Sequence, residues 1–197
     1  MKKLLSFLLA LTLVLTCAFA MTACKEDEDP KKESEAEEAS SAETVSESKE
    51  YVLADGYKLF DKDGVSFAYP KDWTLTNGSN PIMQDTKGNN INVVYEVATK
   101  QNTETYKKLS KSTFMELLGN YLEAMGMEIG EYSVEKKTND GDVEIICLTY
   151  SASMQGVAMT LNQYIILGEE KHFTVTVTEV TDIDGVVKEV FKSIRVG

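Results

Sequence analysis

Residues 143–180 read VEIICLTYSASMQGVAMTLNQYIILGEEKHFTVTVTEV, and this stretch decides the fold. It divides into the runs Val143 to Ser153, Val157 to Leu167 and His172 to Val180, joined only by Met154-Gln155-Gly156 and Gly168-Glu169-Glu170-Lys171. Connections this short make neighbouring strands antiparallel, because a parallel return needs a crossover of about a dozen residues or more. In the last run Phe173, Val175 and Val177 alternate with Thr174, Thr176 and Thr178, the pattern of a strand with one buried face and one face that is polar or thinly covered. Ile145 to Leu148 is apolar at consecutive positions, which predicts a strand covered from both sides. Cys147 within it then serves as a small buried hydrophobe and not as a reactive thiol.

Ile129 to Thr138 adds a fourth long strand through the turn Asn139-Asp140-Gly141-Asp142. Between Thr105 and Met125 the apolar period changes, and Phe114, Leu117, Leu118, Tyr121, Leu122 and Met125 fall on one stripe of a helix. Ser112 or Thr113 is placed to cap that helix, with Glu116 completing a capping box with Thr113. Tyr106 and Leu109 indicate a turn or two ahead of it, and Gly126 supplies a left-handed stop. Further upstream, Tyr57 to Asp61 and Val65 to Tyr69 flank Lys62-Asp63-Gly64, which has hairpin chemistry. Ile82 to Gln84 and Ile91 to Val97 are further strands around Gly88-Asn89-Asn90, the second placing Ile91, Val93, Tyr95 and Val97 on one face. After the meander, Asp182 is placed to cap a last helix through Val186, Val187, Val190, Phe191 and Ile194. The expected architecture is α+β, one domain over residues 51–197, with an antiparallel sheet flanked by helices.

Ahead of the domain the sequence carries an address. Lys2 and Lys3 precede an apolar run from Leu4 to Ala20, followed by Met21-Thr22-Ala23-Cys24, the layout of a secretory signal. The string resembles the bacterial lipobox, although Met21 stands where leucine is usual. That resemblance implies a signal peptide over residues 1–23 and Cys24 as the lipid-attachment residue, carrying diacylglyceryl and fatty acyl groups such as palmitate. Each buried methylene contributes about 0.8 kcal/mol, so more than one chain gives lasting attachment. Cleavage after Ala20, which would release a soluble protein, is the competing possibility. Residues 24–50 form the lipidated cysteine and its tether: 11 acidic and 4 basic residues, with Val45 the one branched apolar side chain, cannot bury a core. The expectation is a lipid-anchored protein at the extracytoplasmic face of the cell membrane.

The whole chain has a formal net charge of -12, and no basic stripe interrupts the acidic balance of the domain. Nucleic acid and anionic lipid surfaces are therefore poor partners. Cys147 is the one cysteine after Cys24, so the domain holds no internal disulfide and stands on its apolar core.

Motifs for chemistry are missing. No Gly-x-Ser-x-Gly and no Gly-x-x-x-x-Gly-Lys string occurs. His172 is the sole histidine, beside Lys171 at the mouth of a strand, and is expected at an exposed edge. One histidine and one buried cysteine fall short of a zinc site. Asp61-Lys62-Asp63-Gly64, Asp140-Gly141-Asp142 and Asp182-Ile183-Asp184-Gly185 lack EF-hand spacing and fall where turns or a cap are expected. No catalytic, cofactor-binding or metal-binding residue is assigned, and no cofactor is expected.

The string Gly64-Val65-Ser66-Phe67-Ala68-Tyr69-Pro70-Lys71-Asp72-Trp73 resembles the opening strand of PsbP-like and DcrB-like domains. The later order is similar too: a hairpin, an amphipathic helix, an antiparallel meander, and a helix ending in a short strand-like tail at Ile194-Arg195-Val196. The resemblance spans roughly residues 57–196 and implies a PsbP-like α/β/α sandwich. That fold is shared by photosystem II accessory proteins, bacterial envelope lipoproteins and a Ran-binding nuclear import factor, so it carries no single function. The local reading of Tyr69, Pro70 and Trp73 is a corner in which a ring covers the sheet edge.

Three functions stay open. The preferred one is a non-enzymatic accessory lipoprotein that binds a protein of the envelope. The second is a carrier holding a small apolar ligand between helix and sheet, walled by Met125, Met127, Met154 and Met159. The third is an enzyme built on scattered carboxylates.

Overall fold

The computed structural model of the chain describes residues 51–124 and 126–197, with the side chains at 117–121 and 123 outside that description. The expected signal peptide, Cys24 and the expected acidic tether lie outside the described residues, as does Met125.

The elements, in order, are β1 (Tyr57–Lys62), β2 (Val65–Pro70), β3 (Thr74–Thr76), β4 (Ile82–Gln84), β5 (Asn90–Val97), α1 (Lys100–Lys107), α2 (Lys111–Ala124), β6 (Met127–Thr138), β7 (Glu144–Met154), β8 (Val157–Leu167), β9 (Lys171–Glu179), α3 (Asp184–Ser193) and β10 (Arg195–Val196). They build two sheets: a three-stranded one ordered β1-β2-β10, and a seven-stranded one ordered β3-β4-β5-β9-β8-β7-β6. Neighbouring strands run antiparallel throughout.

The long meander forms as its short connections require. At the β7–β8 turn Gln155 and Gly156 take φ of 52° and 81°, and at the β1–β2 turn Asp63 and Gly64 take 58° and 92°. Two successive left-handed residues match the strand twist at a tight hairpin. The N-terminal hairpin is not part of the large sheet. It forms the small sheet, completed by β10 against β2.

The large sheet is covered on both faces. Against one face lie the small sheet and α3, and Phe60, Phe67, Tyr69, Trp73, Val190 and Ile194 pack there on Ile91, Ile145, Cys147, Tyr164, Phe173 and Val175. Against the other lie α1, α2 and the loop between them, whose Tyr106, Leu109, Phe114 and Leu122 join Ile146, Leu148, Tyr150, Leu161 and Ile165. The architecture is thus an α/β/α sandwich, with Tyr69, Pro70 and Trp73 buried in the corner where β2 ends.

In β5, Ile91, Val93, Tyr95 and Val97 share one face as expected, buried at the first two and exposed at the last two where the cover ends. Three local expectations are corrected. Thr176 and Thr178 are 0% and 3% exposed, because the α1–α2 layer covers the face that β9's alternation leaves polar. Helix α2 starts one turn early: Ser110, not Ser112 or Thr113, accepts the Thr113 amide at 3.3 Å. Ile183 occupies the N-cap position of α3, and Asp182 accepts the Asp184 amide at 3.1 Å from one residue further out.

Candidate functional site

On the face carrying α3, cross-strand register sets the side chains in rows. Ile145 and Cys147 of β7 lie opposite Ile166 and Tyr164 of β8, and these rows are apolar and buried. Further along the same face come Thr149 with Asn162, Ser151 with Thr160, and Ser153 with Ala158. Thr160 in turn pairs with Glu179 of β9. Helix α3 reaches Tyr164, whose hydroxyl donates to the Val187 carbonyl at 3.1 Å, and it begins only at Asp184. Beyond that start no described element covers this face of the sheet.

The uncovered end forms a cleft of about 670 Å³. Its floor is made of small side chains, Gly130, Ser151, Ser153, Ala158 and Thr160, which is why the surface is concave. Glu128 stands on one side, with Glu179, Thr181 and Asp182 on the other. Gly130 belongs to a bulge where β6 slips its register against β7, and a Cβ there would lie 2.4 Å from Ser151 Oγ. Glycine at this position therefore keeps the Ser151 hydroxyl in place.

The polar groups around the cleft are held by their neighbours. Asn162, 6% exposed, donates to Glu179 Oε1 at 2.6 Å and accepts from Thr149 at 3.0 Å. Ser153 donates to Glu128 Oε2 at 3.2 Å. The Val180–Thr181 wall is fixed by Asn89, fully buried, whose Oδ1 accepts both backbone amides at 2.8 and 2.9 Å. The Asn89 Nδ2 donates to Asp85 at 2.7 Å and to Thr181 Oγ1 at 2.8 Å.

His172 lies elsewhere and is not an edge residue. Strand β9 is paired on both sides, with Glu96 and Leu167 opposite His172, so the ring is 2% exposed. Its Nε2 shares a hydrogen bond of 2.8 Å with Thr103 Oγ1, and the ring meets Tyr106 edge-on with centroids 5.6 Å apart. The Tyr106 hydroxyl donates to Glu96. Burial lowers the His172 pKa against the opposing pull of the Glu96 carboxylate and the backbone at Gly168 and Lys171. Burial also raises the Tyr106 hydroxyl, aided by Glu96. This group anchors α1 to the sheet, remote in sequence register from the cleft.

Cys147 is 7% exposed, and burial pushes its thiol up to about 11, so it is the inert hydrophobe its flanks indicate. Met127 and Met159 are core residues of the α2 side, and Met154 packs against them. Under that helical layer, Asn92 is 2% exposed with neither side-chain amide atom hydrogen-bonded, and the Tyr150 hydroxyl is equally without a partner. Among the described residues, no group of three or more His, Cys, Asp or Glu is placed to hold a metal. The three aspartate-rich strings sit at turns and at the start of α3. Among the same residues, no helix is long and apolar enough to cross a membrane. Sequence reading missed Glu128, Glu179 and the hydroxyl floor. The signal was the change at fixed parity from Ile145 and Cys147 to Thr149, Ser151 and Ser153, which marks where the cover stops.

No protein-family model matches the sequence, and no curated protein matches it. Among solved structures the chain is similar to cyanobacterial PsbP (CyanoP) from Synechocystis, with a TM-score of 0.59 and 15% identity, covering 74% of this chain and 95% of that one. It is more distantly similar to a Bacteroides thetaiotaomicron protein, with a TM-score of 0.46 and 12% identity over 72% of this chain and 49% of that one. A third similarity is to LpqN of Mycobacterium tuberculosis, described as involved in cell envelope biogenesis, with a TM-score of 0.40 and 12% identity over 71% and 90% of the two chains. The CyanoP superposition bears out the resemblance carried by Gly64 to Trp73, and the described residues form a PsbP-like α/β/α sandwich.

Proposed function

We propose that this chain is a lipid-anchored extracytoplasmic module that acts by binding a protein of the envelope, with Cys24 as the acylated residue. The observation that carries the partner-binding part is a separation. His172 and Cys147 are buried in the sandwich away from the open cleft, whose Glu179 and Glu128 carboxylates accept hydrogen bonds from Asn162 and Ser153 beside a floor of serine, threonine and small apolar side chains. An enzyme needs its reactive groups within hydrogen-bond reach of a bound substrate. The apolar-carrier alternative needs an enclosed, largely apolar pocket, and this cleft is open and rimmed by carboxylates. The location rests on the lipobox-like string and the acidic stretch over 25–50.

Crosslinking in intact membranes followed by mass spectrometry tests the binding role. A defined partner that disappears when residues 51–197 are deleted supports it, and recovery of no specific partner counts against it. For the anchor, Cys24→Ser is expected to move the protein from the membrane fraction to the medium or periplasm, and unchanged retention refutes acylation at Cys24.

A further inference from the structure

We infer that the cleft beyond α3 is the docking site for an extended, lysine- or arginine-bearing segment of the partner, presented at the end of the domain that points away from the lipid. This inference rests on the partner-binding reading above and adds where the partner sits and what chemistry it carries.

The first support is where the chain enters the domain. The Tyr51 hydroxyl donates to Glu189 of α3, and the Arg195 guanidinium lies 5.4 Å from the centre of the Tyr51 ring. Arg195 follows the C-terminus of α3 and abuts Gly141 in the β6–β7 turn, where a Cβ would fall 2.3 Å from its Cζ. Asn139 of the same turn donates to the carbonyls of Phe191 and Ile194 at 3.0 and 2.8 Å. The tether thus joins the domain where the end of α3 meets the β6–β7 turn. Strand β6 runs from Met127 to Thr138, with Thr138 at this turn and Glu128 at the cleft. At about 3.4 Å per residue that is a separation of roughly 30 Å. The cleft therefore lies at the end of the domain remote from where Tyr51 enters it.

The second support is charge. Among the described residues, the lining contains Glu128, Glu179 and Asp182 and no lysine, arginine or histidine. A concave wall lined by one sign of charge focuses the field on a mobile counter-charge. The third support is shape, because a cleft of about 670 Å³ floored by Gly130, Ala158 and short hydroxyl side chains admits a few long side chains and their backbone, not a folded domain. Other occupants fit less well. Residues 25–50 are acidic and are repelled, and a second copy brings an equally acidic domain.

The test uses the mature, lipidated chain in neutral nanodiscs and a fluorescent eight-residue peptide of alternating lysine and alanine, read by anisotropy. Saturable binding is expected, weakened about tenfold in the triple variant Glu128→Gln, Glu179→Gln, Asp182→Asn. Binding should be unchanged in the variant Asp140→Asn, Asp142→Asn, Glu144→Gln, which removes the same charge at the tether end. Equal loss in both variants means charge attraction without a site and overturns the proposal. So does the absence of saturable binding, or full competition by spermine or calcium at peptide-like concentrations, which would make the cleft a small-cation site. Concentration-dependent dimerisation abolished by the cleft variant would assign the face to a second copy and also overturn it. The two readings fail separately: a crosslinked partner retained by the cleft variant refutes this inference alone, whereas peptide binding with no partner in membranes refutes the partner-binding role alone.

Discussion

Replacing Asn89 by alanine removes one side chain and unties a wall of the cleft. The Asn89 side chain makes four hydrogen bonds, accepting the Val180 and Thr181 amides and donating to Asp85 and Thr181, and it is fully buried. A hydrogen bond is worth about 1 kcal/mol net, and a buried group left unpaired costs about 1–3 kcal/mol. Thr181 is exposed and Asp85 partly so, and water replaces the bonds lost there. The Val180 amide is half-buried and recovers less. The expected loss for Asn89→Ala is therefore about 2–3 kcal/mol, or roughly 5–10 °C in Tm for a domain of this size. Urea unfolding should show a lower midpoint at unchanged slope. Asn89→Asp gives a second, sharper signature. It keeps the acceptor for both amides but sets a new carboxylate against that of Asp85, where an amide now donates at 2.7 Å. Two carboxylates this close cannot both ionise cheaply, so the pair holds a proton in the folded state to higher pH than in the unfolded chain. A raised folded pKa stabilises below the unfolded value of about 4 and is lost as pH rises through the folded one. This variant should thus approach wild-type stability near pH 4 and fall below it at pH 7, while the alanine variant keeps a similar deficit at both. A change under about 1 kcal/mol in Asn89→Ala, or no pH dependence in the Asp variant relative to wild type, would refute the account of this wall.

The lowered pKa of His172 means that the unfolded chain binds a proton the native one resists, so below about pH 6.5 this residue subtracts from stability as acid is added. Relative to wild type, His172→Gln should lose less stability between pH 7 and pH 5 in urea titrations, and parallel curves would contradict the burial argument. Cys147, buried with its thiol near 11, should resist iodoacetamide at pH 8 in the native protein and react on unfolding, as followed by peptide mapping. Rapid native modification would place that thiol outside the core.

The meander was legible because its information is local. The short connections force antiparallel neighbours, and β8 runs over Val157–Leu167 as its pattern indicates. Cys147 and the Tyr69–Trp73 corner were equally plain from their flanks. What escaped was set by distant partners. Nothing between Thr99 and Asn102 looks like an apolar helix, yet these residues form a reciprocal cap that starts α1 at Lys100. Thr176 and Thr178 carry the polarity of an open face and are buried because a layer from another part of the chain lies on them. His172 beside Lys171 has the composition of an edge, but pairing to β5 on one side and β8 on the other encloses it. The cleft is a place where covering stops, and a sequence records that only as a change of residue type at constant parity.

Strand β5 lies against β9 and not against β6, its next strand in the chain. Strands β3, β4 and β5 pair with one another, but the other edge of β5 has no partner while residues 98–170 are synthesised, and the seven-stranded sheet joins only when Lys171–Glu179 arrive. Closing so large a loop places folding in the slow, millisecond-to-second regime of non-local β topologies. A polypeptide that cannot finish early stays threadable, so the export proposed above would precede completion of the native state without competing with it.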